Sequence, residues 1–210
     1  MFSMELRYKM NKGIDELIRL RRSTYADSFT GAKIPRKLLV KILENATWAP
    51  THKMTEPWRF IVLEGELLTD YGSFMSDHYM SKYVHLGPEA MDKKKEYLKN
   101  YPRKAACMVA IICRYNRTVA LPEWEEVAAV ASAVQNMALS CTYYGYGSYW
   151  ATGTSAISYV EKLGLEENEQ PLGLFFIGKT ANGKEVVTKK RTPVMHKTTW
   201  INDLNQIDNK

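Results

Sequence analysis

No apolar run in this chain is long enough to cross a membrane; the longest, around Cys107 to Cys113, has the length of a strand. The N-terminus also lacks the apolar stretch of a signal peptide, so a cytoplasmic protein without a membrane partner is expected. Cysteine is scarce. Cys107, Cys113 and Cys141 are odd in number, lack metal-ligand spacing and sit in apolar segments, which predicts buried reduced thiols and no metal. There is no internal repeat, low-complexity tract or dividing linker, and no Gly-x-Gly-x-x-Gly between a strand and a helix, which excludes the dinucleotide fingerprint. Nor is charge concentrated. The formal net charge is +6, but only Lys93-Lys94-Lys95 and Lys189-Lys190-Arg191 form short basic clusters, whereas a nucleic-acid binder gathers its charge further. An anionic small ligand would account for part of the excess.

What is present is an ordinary globule. With 210 residues, 45% of them hydrophobic and 25% charged, the chain can bury one core and is read as a single domain, 1–210. Within it, 1–12 is an N-terminal extension and 194–210 a C-terminal arm, polar after Ile201, that is either a loose tail or ordered only against a partner subunit.

Periodicity sets the elements. A first helix begins near Gly13 with Ile14, Leu17 and Ile18 on one face, and a second follows Pro35 with Leu38, Leu39, Ile42, Leu43 and Ala46 at helical spacing. A polar, proline-bounded loop, Ala49 to Pro57, leads into a strand from Trp58 to Leu63. The stretch from Tyr71 to Arg103 is too irregular to assign. Ala105 to Cys113 reads as a buried strand and Glu123 to Tyr143 as a long helix with a stripe from Val127 through Cys141. Tyr146 to Trp150 is a short strand, Ser155 is placed to cap a helix reaching Leu163, and Leu172 to Ile177 is the last strand. Alternating strands and helices of this kind make an α/β or α+β sandwich.

Four short patterns carry chemistry. Arg21-Arg22-Ser23 closes the first helix, where cations complement the negative helix terminus and guanidinium forks match phosphate oxygens. Next comes Ala49-Pro50-Thr51-His52-Lys53-Met54-Thr55-Glu56-Pro57-Trp58, a loop entering a core strand. The third is Gly145 to Gly153, containing Trp150-Ala151-Thr152-Gly153, where glycine allows backbone to approach a planar ring. The last is Lys189-Lys190-Arg191-Thr192-Pro193, after the hairpin-like turn Ala181 to Lys184. Each alone has a plain structural reading: a basic helix end, a core aromatic with a loop histidine, a glycine-rich connection and a solvated charge run.

Their order and spacing resemble the nitroreductase family, closest to its small, compact members, from about Gly13 to Pro193. The resemblance implies an α+β fold with a central, mostly antiparallel sheet flanked by helices, dimeric, binding FMN at the subunit interface. It implies phosphate contacts from Arg21, Arg22 and Arg191, with Lys189 as second choice to Arg191, and ribityl or phosphate contacts from Ser23. Trp150, Ala151, Thr152 and Gly153 would lie along the flavin ring, a main-chain N–H meeting N5. Trp48 and His52 would approach the FMN of the other subunit. The implied activity is ping-pong transfer of hydride from NAD(P)H to a nitroaromatic, quinone or similar planar acceptor, with no catalytic side chain. The chain departs from the family at Tyr25, where many members carry a cation facing flavin N1 and the C2 carbonyl, at Glu56 in place of Gln, and at Met54 in place of Asn. Lys53, Arg21 or another residue would have to supply that charge. A flavin-binding redox sensor or carrier without turnover, and a basic nucleic-acid module, are the readings from other classes.

Overall fold

The computed structural model describes residues 13–181 and 190–202; the extension 1–12, most of the predicted hairpin turn, Lys189 and residues 203–210 lie outside the described residues. Among the described residues, six α-helices and four strands follow one another as α1 (Ile14–Leu20), α2 (Arg36–Ala46), β1 (Trp58–Leu63), α3 (Glu66–Met80), α4 (Pro88–Asn100), β2 (Cys107–Arg114), α5 (Glu123–Tyr143), β3 (Gly147–Ala151), α6 (Thr154–Glu161) and β4 (Glu169–Gly178). The strands form one sheet in the order β1-β2-β4-β3, every neighbouring pair antiparallel. The fold is therefore α+β, with helices on both faces of an antiparallel sheet.

The apolar run that reads as a strand is the sheet's centre. Residues Cys107 to Cys113 are all buried, and side-chain alternation sends Val109 and Ile111 into one layer and Met108, Ala110 and Ile112 into the other. β4 divides in the same way, with Phe175 and Ile177 on the first side and Leu174 and Phe176 on the second. The first layer is closed by Leu39 and Ile42 of α2 and by Val130, Val134 and Met137 of α5; the second by Leu68, Tyr71 and Met75 of α3 and by Tyr159 and Val160 of α6. Each fully buried Leu, Ile or Phe here stabilises the fold by about 1.5–3 kcal/mol.

At one end of the sheet a single carboxylate ties three strands. Glu169, its side chain fully enclosed, accepts from Arg59 of β1 at 2.5 Å, from Arg114 of β2 at 2.7 Å and from the Glu166 amide at 3.0 Å. Burial alone would raise its pKa, but these donors outweigh that and lower it.

The unassigned stretch 71–103 contains most of α3 and all of α4. α4 buries only Leu98 and is otherwise charged and polar, so its sequence carries little periodic apolar signal. Ser155 does not cap α6. Gly153 occupies the cap position, and the Ser155 hydroxyl is instead committed to Tyr71 and Tyr79. The apolar face of α1 is less enclosed than its pattern implies: Ile14 is 65% and Ile18 49% exposed.

Candidate functional site

α1 ends where its own basic residues can cap it. The Arg22 guanidinium turns back onto the main-chain carbonyls of Arg19 and, at 2.8 Å, Arg21, placing positive charge at the helix's negative end. The chain then becomes extended and runs beside β3: Ser23 bridges Ser148, and the Thr24 amide donates to the Ser148 carbonyl at 2.9 Å. Gly147 makes this possible, since a Cβ there would lie 2.9 Å from Thr24 and 2.8 Å from the Phe29 ring. Two of the four sequence patterns are thereby brought side by side.

A third joins them from the far end of the chain. The Arg21 pKa lies below its ordinary value, first because the side chain is partly desolvated and then because the charges of Arg22 and Arg191 act on it. None of these three arginines has an ion-pair partner among the described residues. The Arg22 Nε–H, moreover, is buried without an acceptor. Burying a cationic donor unpaired is costly, so mutually repelling guanidiniums with an orphaned N–H form a cluster suited to a polyanionic group such as a phosphate.

The β3 exit completes this side. Trp150 is anchored rather than free, its indole N–H donating to the Leu172 carbonyl at 2.8 Å. Ala151 pairs with Leu174, and its carbonyl is pressed so closely against β4 that a Cβ on Gly173 would stand 2.2 Å from it. Gly173 also has φ +109, a region open to glycine. Beyond it Thr152, Gly153 and Thr154 are exposed, and the amides of Thr152 and Gly153 make no hydrogen bond among the described turn and loop bonds. Free amides on a fixed turn can donate to a planar heteroaromatic ring. Where the family's cation is expected, Tyr25 instead leans on Tyr149, ring centroids 5.0 Å apart.

Trp48 and His52 have other neighbours on this protomer. Trp48 is 85% exposed and borders a groove of about 320 Å³ lined by Leu17, Asn45, Asn136, Leu139, Ser140, Tyr143 and Tyr144. The His52 Nδ1 lies 2.6 Å from a carboxylate oxygen of Glu125, in the first turn of α5. No described hydrogen bond or ion pair links either residue to the arginine cluster. The loop that follows His52 is strained: Lys53, Met54 and Glu56 all have positive φ, of 49°, 54° and 46°. Thr51 holds it, its hydroxyl accepting from the Glu56 amide at 3.1 Å.

Sequence reasoning missed the side chains beside Gly153. Tyr79 and His78, in the last turn of α3, meet Ser155 and Thr154 at 3.1 and 2.9 Å. They belong to the stretch that could not be assigned, and nothing in the local pattern marks them.

Comparison with known proteins gives a consistent picture. The sequence profile of the nitroreductase family matches residues 18–179. The Bacillus subtilis (strain 168) protein YfhC, named as a candidate NAD(P)H nitroreductase, is 28% identical over 193 residues, covering 88% of this chain and 92% of YfhC. Among solved structures, a nitroreductase-like family protein from Bacillus cereus superposes with a TM-score of 0.72 at 26% identity, covering 91% of this chain and 97% of that one. The FMN-dependent nitroreductase NfnB of Mycobacterium smegmatis, solved with NADPH, shares the fold at 16% identity, with a TM-score of 0.67 and coverage of 89% and 97%.

Proposed function

The chain belongs to the nitroreductase family, and from that premise we propose that it is an FMN-dependent oxidoreductase that takes hydride from NAD(P)H and reduces a nitroaromatic, quinone or similar planar acceptor by a ping-pong sequence. The observation that carries the reading is the convergence of Arg21, Arg22 and Arg191, with the buried, acceptor-less N–H of Arg22.

Bound FMN supplies the hydride chemistry; the protein supplies binding, orientation and water exclusion. Arg21, Arg22 and Arg191 hold the phosphate, and Ser23, fixed against Ser148, contributes its hydroxyl to phosphate or ribityl oxygens. The open amides of Thr152 and Gly153 face the ring, while Trp150 and Ala151 set the turn's position through their ties to Leu172 and Leu174. Donor and acceptor use the same face in turn, so no nucleophile or metal ligand is required.

A homodimer is part of this reading, with Trp48 and His52 reaching the FMN of the partner subunit. Supporting it are apolar side chains that one protomer leaves open: Ile14 and Ile18 on α1, Trp48 beside the groove, and Val194, Met195 and Trp200 on the C-terminal arm, each 49% exposed or more. A lone protomer would expose them at a cost that burial against a second copy removes.

The test is direct. The purified protein is expected to be yellow, to release FMN identifiable by mass, and to lose its visible band on anaerobic stopped-flow mixing with NADH or NADPH. Retained flavin that neither donor bleaches would overturn the reductase reading in favour of a redox sensor or carrier.

A further inference from the structure

Building on the flavin reading above, we propose that Tyr79 is a specificity-determining residue whose phenolic O–H donates a hydrogen bond to an oxygen of the planar acceptor bound over the flavin, beside the Thr152–Gly153 turn. Tyr79 ends α3 beside the start of α6, its oxygen 3.2 Å from where a Cβ on Gly153 would stand. The turn is exposed and Tyr79 half-buried, so the phenol lies beside the free amides at the surface.

Proton bookkeeping then gives the phenol a direction. Ser155, 3% exposed, donates its only hydroxyl proton to the Tyr79 oxygen at 3.1 Å. The Tyr71 hydroxyl lies 3.2 Å from the same Ser155 oxygen, so that bond must be donated by Tyr71. The chain runs outward from the core, Tyr71 to Ser155 to Tyr79. None of the described hydrogen bonds is donated by the Tyr79 hydroxyl, so its proton can turn toward an incoming acceptor. His78, its Nε2 2.9 Å from the Thr154 hydroxyl, holds the adjoining residue in place.

The electrostatics strengthen this donor. Burial alone would raise the Tyr79 pKa, but hydrogen bonds from the Ser155 and Thr154 hydroxyls and the Ser155 amide, with the Lys82 charge, lower it overall. The Lys82 ammonium lies 5.0 Å from the ring centroid. A more acidic phenol donates a stronger hydrogen bond, and successive hydroxyls in a chain polarise one another. Nitro and quinone oxygens accept such a bond, whereas an apolar ring of the same shape leaves the donor unsatisfied and is disfavoured.

The experiment titrates flavin-loaded, oxidised wild-type, Tyr79→Phe and Ser155→Ala proteins with 4-nitrobenzoate, without a nicotinamide donor, and follows the perturbation of the visible flavin band. Saturable binding to wild type is expected. Tyr79→Phe should keep its flavin content while its Kd for the probe rises about tenfold. Ser155→Ala keeps the phenol but loses the donor into it, and should weaken binding by about threefold. Equal Kd values for wild type and Tyr79→Phe, or no saturable binding to loaded wild type, would overturn the proposal and leave the flavin reading standing. A wild-type protein that neither contains nor takes up FMN would defeat the flavin reading itself.

Discussion

Arg191 and Arg21 come from opposite ends of the described chain, yet the charge of one acts on the other strongly enough to help lower its pKa. Such a meeting of cations without a carboxylate is unfavourable in the protein alone and is relieved by an anion.

Arg21→Ala should therefore weaken FMN retention while leaving the fold intact. A charge-assisted hydrogen bond contributes about 1.5–3 kcal/mol, so Kd for FMN should rise about ten- to a hundredfold, measured by fluorescence titration of the apoprotein. The circular dichroism spectrum should not change. Unaltered flavin content would remove Arg21 from the site.

Glu169→Gln tests the clamp at the sheet's end. The native carboxylate has a lowered pKa, so its stabilisation is fully present above the unfolded carboxylate range, about 4.3, and is lost as pH falls through the folded value. The substitution should cost about 1–3 kcal/mol at neutral pH, because Arg59 and Arg114 lose their shared acceptor. It should also flatten the acid limb of a stability profile recorded by urea unfolding below about pH 4. An unchanged acid limb would show that the clamp contributes nothing.

Thiol chemistry gives an independent check of the core. Burial pushes the Cys107 and Cys113 thiols up to about 12 and raises that of Cys141 further. None should react with a disulfide reagent at pH 8 in the native protein, and all three should react in denaturant. Rapid labelling of the folded protein would contradict the packing of β2 against α5.

Trp48→Ala should leave the stability of an isolated protomer nearly untouched, since the ring is 85% exposed there. In the dimer reading it should instead shift sedimentation toward the monomer and lower flavin content. A variant that sediments and binds flavin as wild type does would take Trp48 out of the interface.

Much of this was legible in the sequence where one signal dominated. The strand Trp58 to Leu63 and the helix Glu123 to Tyr143 are found where their patterns put them, because each has one clear period and firm boundary residues. α3 and α4 were not legible. α3 hides Tyr71 and Met75 among polar residues, and α4 contributes a single buried leucine, so neither shows a strong stripe. The positive φ angles at Lys53, Met54 and Glu56 were equally invisible, since no glycine advertises them. The basic ends of the chain were legible as chemistry, but their convergence depends on the pairing of residues 23 and 24 with β3, a tertiary event.

Gly173→Ala should be among the most damaging small substitutions. The new methyl group would meet the Ala151 carbonyl at 2.2 Å, at a φ that suits glycine, costing about 3 kcal/mol and lowering Tm by about 10 °C in calorimetry. A variant melting with wild type would show that β3 and β4 separate easily.

That contact between Gly173 and Ala151 makes the sheet's interior a jig for its open edge. The amides of Thr152 and Gly153 point where they do because the preceding carbonyl has no slack, so whatever docks there meets donors aimed in advance. In the proposed site, selectivity would thus be set partly by Gly173, which packs behind the turn.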